Sequence, residues 1–251
     1  FILILPINYQ IIRNVIIPQG IPVFLTYGIC FCLILYSLYT TIRYHKNIAK
    51  NKFYEKADIS STLKESFVND IEKIVWANKL SSKTLNISGN DNFKELEVFH
   101  IKLKSAKFNP KILEAIDKAI PYYILFVLEY EEKYQIWLGY KEKSANSTNK
   151  ANIVRYFNSE WSKEPILALQ GNKLESIYEN FLSQLSGGKI DIVSEKNIKE
   201  KVKQTIETEK IEKQIEKLTA KMDAEKQFNR QIEIKSQIKQ LQQQIKDLNN
   251  G

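Results

Sequence analysis

Between Ala119 and Lys143 the chain reads A-I-P-Y-Y-I-L-F-V-L-E-Y-E-E-K-Y-Q-I-W-L-G-Y-K-E-K, and few patterns leave a chain less choice of structure. Tyr122 to Tyr130 is apolar almost without a break, as a strand covered on both faces must be. Glu131, Glu132 and Lys133 interrupt it with charge and predict a turn. Tyr134 to Tyr140 then alternates, with Tyr134, Ile136 and Leu138 on one face and Gln135, Trp137 and Gly139 on the other. The expectation is a central β-hairpin, which organises a core and performs no chemistry of its own.

The flanking residues supply what such a hairpin packs against. Ser60, Ser61 or Thr62 can cap a helix, with Glu65 three residues after Thr62. Leu63, Phe67, Ile71, Ile74, Val75 and Trp76 recur at helical spacing and predict that this helix buries one face. Leu80 to Asn92 reads as a polar connection. Lys94 to Lys104 reads as a strand, with Phe99, Ile101 and Leu103 on one face and Leu96, Val98, His100 and Lys102 on the other. Pro110 suits the first turn of a helix whose stripe is Ile112, Leu113, Ile116 and Ile120, with Asp117 and Lys118 on its solvated face, and Pro121 ends it. Ile153 to Phe157 reads as a short strand and Pro165 to Leu169 as another. A helix carrying Leu174, Ile177, Tyr178, Phe181, Leu182 and Leu185 follows, stopped by Gly187-Gly188. The order predicts an α+β fold, a mostly antiparallel sheet with flanking helices over residues 38–186.

Charge and cysteine usage narrow the function classes. The net charge of +8 is spread as +4 over residues 1–50, +1 over 51–186 and +3 over 187–251. The α+β region is thus near neutral, and the basic balance does not mark it as a nucleic-acid binder. Cys30 and Cys32 are too close along the chain to pair well with each other, and no Cys/His cluster has zinc spacing. A reducing compartment is the default expectation.

Residues 1–37 stand apart. No residue from Asn14 to Ile42 is charged, and Ile21 to Tyr39 is nearly all apolar, about the ~20 residues that span a bilayer. Arg43, Lys46, Lys50 and Lys52 follow, an arrangement that would put residues 43–251 in the cytoplasm. Against a span stand Pro18, Gly20, Pro22 and Gly28. The chain starts with Phe1 and its single methionine is Met222, which suggests a fragment or a misassigned start instead.

Candidate chemistry is sparse. A metal-dependent nuclease would need clustered carboxylates to hold Mg²⁺ and a lysine near the attacking water. The one Glu-x-Lys of the strand region is Glu131-Glu132-Lys133, with Glu97 or Glu129 as the accompanying acid. His100 reads either as a general base or as a partly buried, hydrogen-bonded imidazole. Trp76 reads as a ligand platform or as core, and Tyr134, Trp137, Tyr140, Tyr156 and Trp161 as base-stacking surface or as core pairs. No P-loop, no G-x-G-x-x-G and no G-x-S-x-G occurs, and no cofactor is implied.

Residues 187–251 are of another kind. From Ile190 to Asn250 there is neither proline nor glycine. Ile211, Ile215, Leu218 and Met222 form one seam, and Ile234, Ile238, Leu241, Ile245 and Leu248 a second, both with coiled-coil spacing. The two are out of register with each other. The helix therefore either runs on through a register shift or folds back as a helical hairpin near Glu225 to Gln231, with Phe228 capping or bridging the packing. Neither seam can bury itself alone, so the tail reads either as an assembly module, pairing with itself, a second copy or another protein, or as a charged helix packed back on its own domain.

Six stretches carry a family resemblance: N-K-F-Y-E at 51–55, F-V-N-D-I-E-K-I-V-W-A-N-K-L at 67–80, L-E-A-I-D-K-A-I-P-Y at 113–122, W-L-G-Y-K at 137–141, Y-E-N-F at 178–181 and K-Q-F-N-R-Q-I-E at 226–233. Together they resemble the bacterial family known as domain of unknown function 4391, over roughly Leu38 to Leu248. Residues 1–37 lie outside that pattern. The resemblance implies no catalytic residues. It implies genes that sit beside helicases and DNA methyltransferases in restriction-modification clusters, and hence a cytoplasmic accessory protein with a helicase- or methyltransferase-type protein partner, touching nucleic acid only indirectly. The alternatives are a divergent Mg²⁺-dependent nuclease and a membrane-tethered coiled-coil protein.

Overall fold

The computed structural model describes residues 43–54, 59–85, 87, 93–143, 151–190 and 197–250. They form two compact units, divided after Gly188. The apolar stretch 21–39 lies outside the described residues. Among the described residues no helix is long and apolar enough to cross a membrane.

The first unit is α+β. Its strands are β1 (Arg43–Ile48), β2 (Ile71–Ser81), β3 (Glu95–Leu103), β4 (Tyr123–Tyr130), β5 (Lys133–Lys143) and β6 (Ala151–Asn158). They lie side by side in chain order in one six-stranded sheet. All neighbouring pairs are antiparallel except β3 and β4, which run parallel. A parallel pair needs a crossover, and helix α4 (Lys111–Ala119) provides it. Helices α1 (Asn51–Tyr54), α2 (Ser61–Asp70), α3 (Ser82–Leu85) and α5 (Leu174–Leu185) complete the unit.

The expected hairpin is present as β4 and β5. Its two-residue turn places Glu131 (φ 46°) and Glu132 (φ 60°) in the left-handed region, as the tight turns that match strand twist require. Ser60 caps α2, its Oγ accepting from the Leu63 N–H at 3.3 Å. Gly187 (φ 67°) and Gly188 (φ 78°) turn the chain out of α5, and the Gly188 N–H closes back on the Ser183 carbonyl at 2.9 Å.

Two expectations need correction. The helix expected to carry Leu63 to Trp76 ends at Asp70, and Ile71 onward is β2. Ile71, Ile74 and Val75 mimic helical spacing because register shifts at Ile71/Lys73 and Trp76/Asn78 interrupt the alternation of a strand. Their β-branched side chains fit a pleated, two-sided core better than a helix. Pro165 to Leu169 forms no strand; the nearby backbone makes one bridge, Ser162 to Tyr134.

Helices cover both sheet faces. On one, Phe99, Ile101, Leu103, Ile124, Phe126 and Leu128 meet Phe53 of α1, Phe67 of α2 and Ile112, Leu113 and Ile116 of α4. On the other, α5 brings the Tyr178 ring to 4.7 Å from Tyr123 and 5.0 Å from Phe93, and the Tyr178 hydroxyl donates to the Gly139 carbonyl at 2.9 Å.

The second unit holds two long helices, α6 (Ile198–Ala224) and α7 (Phe228–Asn250). They are joined through Glu225 to Gln227, and the Gln204 side-chain amide of α6 donates to the Leu248 carbonyl of α7. Residues near the start of α6 thus meet the end of α7. The tail is an antiparallel helical hairpin and not one continuous helix.

Candidate functional site

Two side chains, Glu225 and Gln231, tie the hairpin tip together. Glu225 leaves α6 in an extended conformation, and its carboxylate accepts the N–H groups of Lys226 (2.9 Å) and Gln227 (3.0 Å). Those two bonds, assisted by Arg230 and Lys221, hold its pKa below the ordinary carboxylate value. The Gln231 side-chain amide donates back to the Glu225 carbonyl at 2.7 Å.

Of the predicted seam, Ile211, Ile234 and Ile238 are buried, while Ile215, Leu218, Met222, Leu241, Ile245 and Leu248 are half-buried. Phe228 neither caps nor bridges that packing. It is 72% exposed, and Ile232, four residues on, is 52% exposed. At about 100° per residue, Phe228, Ile232, Lys235, Lys239 and Lys246 share one stripe, roughly 120° round α7 from the Ile234–Ile238 seam. The three lysines are exposed as well. The stripe is apolar at the tip and basic beyond it.

The sheet carries the titratable clusters. Glu97 lies on β3 in register with Lys79 of β2 and Ile124 of β4. It is 2% exposed, and both of its carboxylate oxygens are closed off from solvent. It lines a cleft of about 230 Å³ together with Lys52, Phe53, Trp76, Phe99 and Tyr122. Burial pushes its pKa up to about 7, with Glu95 adding to the rise and the Trp76 indole and Lys79 opposing it.

Glu129 lies on the opposite face, further along β4. Its Oε2 is 2.6 Å from His100 Nε2 on the parallel neighbour β3. His100 is half-buried, with the Tyr134 ring 6.3 Å away and tilted at 43° to it. Burial lowers the imidazole pKa; Glu129 opposes that shift, while His45 and Lys73 reinforce it. Glu131 and Lys133 are exposed at the hairpin turn, and Glu131 accepts from the Tyr130 hydroxyl at 2.7 Å. Glu97, Glu129, Glu131 and Lys133 therefore do not converge. Among the described residues no group of three His, Cys, Asp or Glu side chains is placed to hold a metal ion.

A third cluster overturns the expectation that Asp117 is solvated, since its side chain is fully buried. Asp117 of α4 meets Lys141 of β5 at 2.8 Å and accepts from the Tyr156 hydroxyl of β6 at 2.6 Å. Lys141 also donates to the Tyr122 carbonyl at 2.8 Å. These contacts clamp α4 onto the sheet. Trp137 is likewise structural, its indole N–H donating to Gln135 at 2.8 Å.

A family model described as a domain of unknown function (DUF4391) matches residues 40–245. The chain belongs to this family. In this DUF4391 chain the match covers both the α+β unit and nearly all of the helical hairpin. No curated protein and no solved structure matches it.

Proposed function

We propose that this DUF4391 protein is a non-enzymatic adaptor that binds a protein partner through its helical hairpin. The observation that carries this reading is the outward stripe of α7, where Phe228 and Ile232 stand in solvent away from the Ile234–Ile238 seam. An exposed aromatic next to a branched aliphatic costs solubility and contributes nothing to the hairpin's own packing. Together with Lys235, Lys239 and Lys246 it fits a helix that offers apolar anchors followed by acidic side chains. The half-buried seam supports the same reading, since a third helix packed in coiled-coil fashion would complete its burial.

The family resemblance supplies the class of partner: a helicase- or methyltransferase-type subunit of a DNA-modification or phage-defence gene cluster. Co-expression of the chain with the products of its neighbouring genes, followed by size exclusion with light scattering, tests this. The expected result is a stable hetero-complex that is lost on deletion of residues 189–251 and on the double substitution F228D/I232K. A complex indifferent to both changes, or none at all, overturns the reading.

A further inference from the structure

The stripe of α7 has a counterpart on α6, and the inference drawn from it rests on the adaptor reading, since it names an occupant for that same stripe. Glu212, Glu216, Ala220, Asp223 and Ala224 of α6 are all exposed. At about 100° per residue they form a band centred roughly 120° round the helix from the Ile211–Met222 seam. Phe228, Ile232, Lys235 and Lys239 are turned from the α7 seam by a similar angle in the same rotational sense. Because the two helices run antiparallel, equal rotations away from the shared seam point to the same side of the hairpin. That side therefore carries an acidic stripe on α6 beside a basic stripe on α7.

The two stripes also match in height. Counted outward from the turn, Phe228 stands level with Ala224, Ile232 with Ala220, Lys235 with Glu216 and Lys239 with Glu212, to within about one residue. Large apolar side chains stand level with small ones, and lysines with glutamates. Within one chain these charges do not neutralise each other. Among the described residues Glu216, Lys235 and Lys239 form no ion pair, and Glu212 meets Lys189 at 3.4 Å while its side chain stays 46% exposed.

We propose that a second copy of this chain occupies the stripe, two hairpins packing face to face as a four-helix bundle about a two-fold axis parallel to the helices. That axis lays α7 of each copy over α6 of the other, with both turns at the same end. Phe228 and Ile232 then cover Ala224 and Ala220 of the second copy, and Lys235 and Lys239 meet its Glu216 and Glu212. The same contacts recur with the roles exchanged. A two-fold axis across the helices would lay lysine on lysine and glutamate on glutamate, which repulsion disfavours. The interface is small, so the dimer is weak, with a Kd on the order of 10 μM or above. The adaptor then works as a pair, and an external subunit meets the assembled bundle.

Sedimentation equilibrium on the full chain from about 1 to about 300 μM measures the association. The expected result is a monomer of 29.3 kDa at the low end and a species of twice that mass at the high end. The dimer fraction should fall in about 1 M salt. K235E/K239E and E212K/E216K should each weaken the dimer roughly tenfold or more, with circular dichroism showing that the hairpin stays helical. The first change lowers the net charge and the second raises it, so a loss in both is not an effect of net charge. The quadruple variant K235E/K239E/E212K/E216K keeps the parent's net charge, restores the match with its sign exchanged, and should dimerise as the parent does. A chain that is monomeric throughout, a dimer indifferent to both reversals, or a quadruple variant as weak as the double ones overturns the inference. Co-expression with the neighbouring gene products keeps the two readings apart. A monomeric chain that still forms a stripe-dependent hetero-complex overturns the second copy alone, a monomeric chain that forms none overturns both, and a dimer that takes up no other subunit upholds the inference while overturning the adaptor reading.

Discussion

Asp117 Oδ1 lies 2.8 Å from Lys141 Nζ with the two side chains only 0% and 5% exposed. Burial raises the Asp117 pKa, and Lys141 and the Tyr156 hydroxyl work against that rise. Such a pair adds little net stability over apolar residues of the same shape, but removing one member strands the other. Asp117→Asn or Lys141→Met alone should therefore cost about 3–5 kcal/mol. Replacing both together with apolar residues should cost clearly less than the sum. Urea unfolding of the single and double variants measures the difference; additive losses would show that the two groups are not coupled.

Gly139 sits against this same cluster. A Cβ at that position would lie 3.0 Å from Tyr156 Cε1 and 3.1 Å from Asp117 Oδ2. Both neighbours are fixed by their mutual hydrogen bond, so neither yields easily. Gly139→Ala is expected to destabilise the first unit by about 1–3 kcal/mol, as overpacking does. Gly139→Ala in a Tyr156→Leu background should cost less, because the contacting ring is gone. Equal cost in the two backgrounds would place the strain elsewhere.

The His100–Glu129 pair makes a titration prediction. Burial lowers the imidazole pKa below 6.5, and Glu129 is the group that opposes the shift. Glu129→Gln removes that opposition, so the imidazole should titrate at still lower pH. The sign for stability follows: a depressed histidine contributes fully above its unfolded pKa, and the contribution fades as pH falls through the folded value. NMR titration of the ring protons checks both statements. A rise in pKa on Glu129→Gln would mean that the carboxylate does not face the ring in solution.

On the hairpin, stability and recognition should separate. Ile238 is buried in the seam between α6 and α7, whereas Phe228 projects into solvent. Ile238→Ala should cost about 2 kcal/mol or more and shift the thermal loss of helical signal to lower temperature. Phe228→Ala should leave that transition within about 0.5 kcal/mol of the parent. Circular dichroism on the two variants decides; a large loss from Phe228→Ala would mean that the ring packs within the tail.

Local pattern made the elements with short-range logic readable. The β4–β5 hairpin is announced by an apolar run, a charged turn and strict alternation, and the α5 and tail helices by their stripes and breakers. β2 was not readable, because its register shifts erase the period of two and leave Ile71, Ile74 and Val75 at helical spacing. β1 was hidden too, as a charged edge strand whose pairing with β2 is a long-range matter. The same holds for the sites. Glu129 meets His100 only because β3 and β4 run parallel, and nothing in the chain order says so. Glu97 was legible as an acid on a strand, but its cleft is assembled from α1, β2, β3 and the end of α4. Trp76, weighed as core or as platform, packs against the core and also lines that cleft.

Glu97 itself sets a pH dependence that needs no ligand. Its pKa stands at about 7 in the folded chain against an ordinary value of 4.5. The folded state thus holds the proton more tightly than the unfolded chain. The contribution is complete below about pH 4.5 and is lost as pH rises through about pH 7, where the ionised group has cost the fold roughly 3 kcal/mol. Glu97→Gln keeps the shape and removes the titration. At about pH 8 the variant should be more stable than the parent by roughly 2–3 kcal/mol, and near pH 4.5 the two should be close to equal. Urea midpoints across that range measure the gap. A gap that does not widen with pH would show that Glu97 stays ionised throughout, with water or a cation already bonded to its carboxylate.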